Sequence, residues 1–439
     1  ENFEISMRLE LEGIGAELRA VDGFTVVTRI LPGGAAEKDG RLKAQDKIVG
    51  VAQGEGGEFI DVVDMKLNDV VKKIRGKSGT IVRLQLLSEG SSDKQTIELT
   101  RAKIKLQEYQ AQSKIMEQGQ KPDGTPFRIG VIDLPSFYRD MSGASKGLKN
   151  FRSTTRDVDK ILEDFRGEKV DAVILDLRNN GGGSLREAID LTGLFIDQGP
   201  VVQVKDFYGQ VSELKDEVPG VSWKGPLVVL TNKFSASGSE IFAGAIQDYG
   251  RGLIVGDPAT HGKGTVQTFI HLESYFKPKS PDPPRLGALK ITVQQFYRAN
   301  GDSTQARGVI ADVVLPSLTS QMEVGESDLD YSLEFDQVPP ADHQKAGVVK
   351  KDLLVRLDMR SRERRRASEN FRKVLENIQR YNERKHRTML PLREEDFRRL
   401  NDDPDEDEPE DVKREDFYLQ EALAITVDYI KFYDSPLVN

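Results

Sequence analysis

An α/β fold is predicted for the middle of this chain, and three observations predict it. Between residues 128 and 320, apolar strand runs alternate with helix-patterned segments: "VDAVILDL", "SLREAIDLTGLFI", "PLVVLT", "SEIFAGAIQDYG", "GLIVGD". The strand runs are continuously apolar, the pattern of a sheet buried on both faces and therefore largely parallel. Two of them run into small-residue turns at helix starts, "RNNGGGS" and "NKFSASGSE". Such turns lie at the carboxyl edge of a sheet, where ligands bind in open α/β folds.

The flanks differ. Residues 1–102 read as a small β-rich module, with "FTVVTRI" and "TIVRLQLL" as strands and "IDVVDMKLNDVVKKIRG" as a helix ending at glycine. The opening "ENFEISMRLELEG" reads as strand. Residues 103–127 are polar and read as a connector, and 103–320 is taken as one core region. Residues 321–439 form a charged, mainly helical region: a loop-like start, one long charged helix from about 350, the acidic run "NDDPDEDEPED", and the amphipathic "FYLQEALAITVDYIKFY". Its charges are expected to be solvated faces and a link.

Composition narrows the chemistry. The net charge of −9 over 439 residues argues against nucleic-acid backbone binding as the main activity. No run approaches the roughly 20 apolar residues of a membrane span. There is no cysteine, so disulfides and thiolate chemistry are excluded. The four histidines, His261, His271, His343 and His386, show no metal-ligand spacing, and no metal or cofactor is expected. No signal peptide is read at the start, and a mature or trimmed chain is expected.

In the amino-terminal module, "LEGIGAEL" sets Gly13, Ile14, Gly15 and Ala16 just before a strand. Successive amides in such a turn form a nest for a carboxylate. The downstream helix carries Leu67, Val70 and Val71 on or near one face, so strand, helix and nest outline a groove for an extended peptide end. The module resembles a PDZ domain, with Leu42–Val51 matching its "L-x-x-G-D-x-I-x-x-V" stretch. Gln45 stands where that pattern has glycine.

In the core, amides at Gly182 and Gly183 and the amide of Gly238 come from two neighbouring strand–helix turns and can converge on one oxygen. The spacing fits neither a dinucleotide nor a P-loop fingerprint. Ser235, Ser237 and Ser239 crowd one helix start, and Ser237-Gly238-Ser239-Glu240 is also a capping box, so capping competes with nucleophilic chemistry. A serine nucleophile needs a base. Lys263 stands between Gly262 and Gly264, where close backbone approach is possible; a buried lysine can lose its proton near neutrality. Gln267 lies four residues on and reaches Lys263 only if the strand bends.

Taken together, "DLRNNGGGSL", "FSASGSEIFAGAIQDYGR" and "VGDPATHGKGTVQ" resemble the C-terminal processing peptidases, and within them the bacterial periplasmic tail-specific proteases. The resemblance covers residues 1 to about 320. It implies a crotonase-like (ClpP/crotonase) serine protease core behind the PDZ-like module. Ser237 then corresponds to the nucleophile, Lys263 to the general base and Gln267 to its support, with Gly182, Gly183 and Gly238 as the oxyanion hole. Ser235 and Ser239 support the turn, Asp248 is structural and His261 is a loop residue. Lys263 is expected to be buried away from carboxylates. Implied partners are proteins or peptides with apolar free C-termini, and an adaptor lipoprotein or self-association; the implied location is the periplasm. The resemblance also implies that an amino-terminal helical part is missing here. "DPATHGKG" is one residue longer than the family pattern, and Gly238 stands where alanine is common. The rival expectations are a catalytically silent peptide-binding scaffold and a crotonase-type acyl-CoA enzyme.

Overall fold

A computed structural model describes residues 2–88, 90, 93–275, 286–389, 391–395 and 416–433. The chain forms two compact units, Glu1–Tyr109 with Asp140–Ser142, and Gln110–Arg139 with Gly143–Asn439.

The first unit is an antiparallel sheet in the order Ala16–Val21, Phe24–Ile30, Lys47–Gln53, Ile81–Leu87, Gln95–Thr100, with Ile60–Asp61 paired to Lys47–Gln53. Its core closes around Val27, Ile48, Val51, Val70, Leu84 and Leu86. Glu10–Gly13 pairs with Ala102–Lys105, which carries this unit past residue 102. The opening segment corrects the strand reading: Asn2–Arg8 is a helix, with Glu4 in its first turn and Arg8 in its last. Those charges match the helix dipole at both ends. Gln45, at the glycine position of the pattern, takes a left-handed φ of 71°. The backbone demand is met by a residue that does not favour it.

The second unit is built on a six-stranded sheet in the order Val313–Val314, Leu253–Gly256, Leu227–Thr231, Ala172–Asp176, Phe127–Asp133, Gln112–Gln118. All neighbours are parallel except the last pair. The strand Gln112–Gln118 corrects the connector reading of 103–127. A second, four-stranded sheet joins Val211–Asp216, Gly199–Lys205, Ala288–Tyr297 and Thr265–His271.

The two faces of the large sheet are covered differently. On one, the ring of Phe165 in helix Thr154–Gly167 closes over Gly130. On the other, Ile129, Val131, Ile174, Val228, Leu230 and Val255 share a core with Leu353, Leu357, Phe371 and the helix Phe417–Tyr433. That helix buries Leu419, Ala422, Leu423, Ile425, Tyr429 and Ile430, so it is a layer of the core rather than a surface amphipath. The long charged helix breaks in two, Lys351–Ala367 and Glu369–Lys385, where Ser368 caps the second. Part of its charge is paired inward: Arg364 holds Glu421 at 2.9 Å and Asp428 at 2.6 Å. The acidic run lies outside the described residues. Among the described residues no helix is long and apolar enough to cross a membrane, and no cluster of acidic and histidine side chains is placed to hold a metal ion.

Candidate active site

The strand Leu227–Thr231 ends in the turn that leads to helix Gly238–Asp248, and Ser237 is its N-cap, with φ 55°. A left-handed conformation at a non-glycine residue costs on the order of 1–3 kcal/mol and persists only where its surroundings enforce it. Here they do. The Ser237 amide donates to Glu240 Oε2 at 2.8 Å, and the Glu240 amide bonds the Ser237 carbonyl oxygen rather than its hydroxyl. The capping box is therefore half-formed. The Ser237 hydroxyl makes no hydrogen bond among the described residues.

Its two neighbours are committed elsewhere. Ser235 Oγ donates to the Leu177 carbonyl at 2.8 Å and accepts from the Asn232 amide at 3.0 Å. Ser239 Oγ donates to the Asn180 carbonyl at 2.8 Å, and the Ala236 amide donates to the same carbonyl at 3.0 Å. Asn179 and Asn232 exchange two bonds of 2.9 Å. Both serines, fully buried, thus fasten the Ser237 turn to the glycine loop at 177–183.

The two turns touch. A Cβ on Gly182 would lie 2.7 Å from the Gly238 nitrogen and 2.8 Å from Ser237 Cβ. This corrects one expected role. The Gly182 amide donates to Asn180 Oδ1 at 2.9 Å, so it is not free for an oxyanion; Gly182 is there because nothing larger fits. Gly183 differs. Phe137 bonds Gly182 O and the Ser184 amide on either side of it, leaving the Gly183 amide, like that of Gly238, without a hydrogen bond among the described residues.

Lys263 is half-buried, and its backbone is fixed on three sides. Its amide donates to Glu240 Oε2 at 3.0 Å, its carbonyl accepts from Thr304 Oγ1 at 3.0 Å, and the Gly264 amide donates to Gln305 Oε1 at 2.8 Å. Gly262 sits against Ala306 with φ +95°, which is the close approach that the flanking glycines allow. The required bend is a bulge between Val266 and Gln267 in strand Thr265–His271. It brings Gln267 Oε1 within 3.1 Å of Lys263 Nζ. Burial lowers the Lys263 pKa below the ordinary lysine value, with Lys290 adding to it and Glu326 and Glu240 opposing it. The expectation of no carboxylate nearby is thus corrected.

Glu240 is the residue that sequence reasoning undervalues. Its carboxylate accepts four hydrogen bonds: from Thr260 Oγ1 at 2.6 Å, Gly262 N at 2.7 Å, Ser237 N at 2.8 Å and Lys263 N at 3.0 Å. One side chain therefore fixes the Ser237 turn and the Lys263 loop against each other. Full burial pushes its pKa up to about 7, against the pull of those four donors. The "S-x-x-E" spacing is the available signal, and it reads only as a cap. Asp248 pairs with Arg298 at 2.5 Å and is buried. The His261 amide bonds the Ser235 carbonyl; its ring Nδ1 is buried without a hydrogen bond among the described residues, 3.9 Å from Glu326.

In the first unit, Gly13, Ile14, Gly15 and Ala16 line a cleft of ≈ 440 Å³ together with Val71 and Arg75. Gly15 has φ +80° and packs on Gly34, where a Cβ would approach to 2.8 Å. The Ile14 and Gly15 carbonyls are taken by Ala36 N and Leu31 N, while the two amides make no hydrogen bond among the described residues. The helix assignment is corrected in part. Val71 faces the cleft, whereas Val70 points into the core and Leu67 is not among the lining residues. One residue further round a helix is about 100° of rotation, enough to separate Val70 from Val71.

Comparison with known proteins fits this division. Residues 3–87 match the PDZ domain, 128–315 match peptidase family S41, and 319–407 match the C-terminal domain of tail-specific protease. The tail-specific protease of Haemophilus influenzae is 36% identical over the whole of this chain, which spans 63% of that protein's length. The carboxyl-terminal-processing protease of Picosynechococcus is 29% identical, over 76% of this chain and 72% of that protein. Among solved structures, a photosystem II D1 C-terminal processing protease is 27% identical over 70% of this chain and 72% of its own, with a TM-score of 0.40. The PDZ domain of a Vibrio cholerae carboxy-terminal protease, solved with a peptide, is 40% identical over 22% of this chain and 98% of its own, with a TM-score of 0.21. With a PDZ domain, a peptidase core and a tail-specific C-terminal domain in this order, the chain belongs to the C-terminal processing peptidases of family S41.

Proposed function

We propose that this chain is a serine endopeptidase that acts on proteins from their carboxyl-terminal tails. Neutral Lys263 Nζ takes the proton of Ser237 Oγ as that oxygen attacks the scissile carbonyl carbon. The tetrahedral oxyanion is held by the Gly183 and Gly238 amides. The lysine ammonium then protonates the departing amine, the C–N bond breaks, and an acyl-enzyme remains. Water, deprotonated by the same lysine, attacks the ester carbonyl; the C–Oγ bond then breaks, the lysine ammonium returns its proton to Ser237 Oγ, and a new carboxylate leaves. Gln267 orients the lysine. The observation that carries this reading is the Glu240 carboxylate, which binds the Ser237 and Lys263 backbones at 2.8 and 3.0 Å. That link supports the pairing of Ser237 with Lys263 in one site.

The cleft beside Gly13–Ala16 takes an apolar free carboxyl end, with the Ile14 and Gly15 amides on the carboxylate. The match of residues 3–87 to the PDZ domain supports this. An adaptor lipoprotein or a second copy is the expected partner, and the periplasm the expected location. The deciding experiment compares fluorophosphonate labelling and peptide cleavage in the wild type, Ser237→Ala and Lys263→Ala. Labelling and turnover should vanish together in Ser237→Ala. A Ser237→Ala protein that still cleaves overturns the nucleophile; a wild type that binds peptides but is neither labelled nor active makes the chain a scaffold.

A further inference from the structure

The helix Phe417–Tyr433 lies beyond the three matched regions, yet the residue before it, Asp416, reaches back across 238 positions of sequence to Arg178 in the glycine loop. That link is a single guanidinium. Arg178 Nη1 and Nη2 donate to Asp416 Oδ1 and Oδ2 at 3.0 and 2.6 Å. The same Arg178 donates through Nε and Nη2 to Asp176, at 3.0 and 2.6 Å, where the strand Ala172–Asp176 ends. Asp416 also accepts the Leu419 amide at 3.0 Å, so it caps the helix while it holds the arginine. Paired, planar bonds of this kind fix orientation as well as distance. Directly after Arg178 come Asn179 and Asn180, whose bonds set the turn, then Gly182 and Gly183.

We propose that Asp416 is a positioning residue for the active site, which through Arg178 anchors the root of the loop that presents the Gly183 amide. The helix is held independently by its buried face on the sheet and by Tyr418 Oη on the Pro316 carbonyl at 3.0 Å, so it is a firm post. The C-terminal region then contributes to the geometry of catalysis as well as to the core. This rests on the catalytic reading above.

The test uses the full chain. Asn and Ser cap helices about as well as Asp, so Asp416→Asn and Asp416→Ser keep the cap and lose the ion pair. Turnover of a peptide with an apolar free carboxyl end should fall about tenfold, the order of a lost charged bond, with KM within about twofold. Fluorophosphonate labelling should slow in the same proportion, the melting temperature should hold, and Asp416→Glu should recover part of the rate. In an Arg178→Gln background, Asp416→Asn should add nothing further. Amide hydrogen exchange over residues 177–183 should rise in Asp416→Asn whatever chemistry Ser237 performs. Unchanged exchange, wild-type turnover in Asp416→Asn, or an equal loss in the Arg178→Gln background overturns the proposal. Raised exchange in a chain whose wild type is never labelled upholds the anchoring and instead overturns the catalytic reading.

Discussion

The Ile14–Gly15 and Gly183–Gly238 amides all lack a hydrogen bond among the described residues, yet their loops are built in different ways. The Ile14–Gly15 loop is held by two backbone hydrogen bonds, from Leu31 and Ala36, beside an open apolar cleft. The Gly183–Gly238 pair is held by side chains in addition to backbone bonds: Asn179, Asn180, Asn232, Ser235, Ser239 and Glu240 each bond a backbone or side-chain atom of these turns. A site that only has to bind a carboxylate can adjust to it. A site that has to stabilise charge appearing on a reacting atom must be in place beforehand, because reorganisation at that moment would be lost from the rate. The density of side-chain ties separates the two.

The largest effect should come from the reacting groups. Ser237→Ala should lower turnover by about 10⁴-fold or more, with peptide binding to the first unit unchanged. Lys263→Arg should be equally inactive, since guanidinium stays protonated. Activity should rise with pH through the depressed Lys263 pKa, because only the neutral amine accepts the proton. His261→Ala should keep most activity; if it is dead while Lys263→Ala works, the base has been misassigned.

Next comes the tie between the turns. Glu240→Gln turns one oxygen into an NH₂ that faces donors on either side, and should cost about 2–3 kcal/mol or more of stability as well as most of the rate. The pH dependence has a definite sign. Glu240 holds its proton up to about 7 when folded and to 4.5 in its ordinary state, so the folded chain binds more protons across that window. Its contribution to stability is full below the ordinary value and falls as pH rises towards 7. Urea unfolding at several pH values should show that slope in the wild type and not in Glu240→Gln. An identical slope in both would break the comparison, since the tie would then not carry the buried charge.

In the amino-terminal cleft the effect should be smaller. Amidating a peptide's carboxyl end should weaken binding about tenfold, the order of a charge-assisted hydrogen bond. Calorimetry with the two peptides measures it, and equal affinity would remove the Ile14–Gly15 amides from recognition. Smallest is Gln45→Gly. Relief of the left-handed φ should stabilise the first unit by at most about 1 kcal/mol, read as a shift in its unfolding midpoint.

Much of this is legible in the chain, because few roles besides catalysis call for glycine, serine and lysine together in such turns. The parallel sheet follows from continuous apolar runs, and three motifs in order point to one family. Other features are hidden for physical reasons. Glu240 looks like a cap because its spacing is local, while two of its partners, Gly262 and Lys263, come from a loop more than 20 residues away. Gly182 looks like a donor because the side chain that occupies its amide, Asn180, reads as part of the turn. The helix Phe417–Tyr433 looks amphipathic, yet its Asp428 and Glu421 are buried on Arg364, and no periodicity reports such pairing. The opening helix escapes the sequence because alternation of apolar residues over so short a stretch suits either structure.

The burial of Phe417–Tyr433 on the large sheet also sets an order of assembly. The strands from Phe127 to Val314 leave the ribosome before the helix that covers Ile129, Val131, Ile174 and Val228. At about 5–20 residues per second, the roughly 100 intervening residues take several seconds to make. Through that interval the face of the sheet lacks its last covering helix, and the anchor of the glycine loop at Asp416 does not yet exist. The nascent chain therefore carries Ser237, Lys263 and Gly183 for seconds before Asp416 and the helix behind it can join the fold.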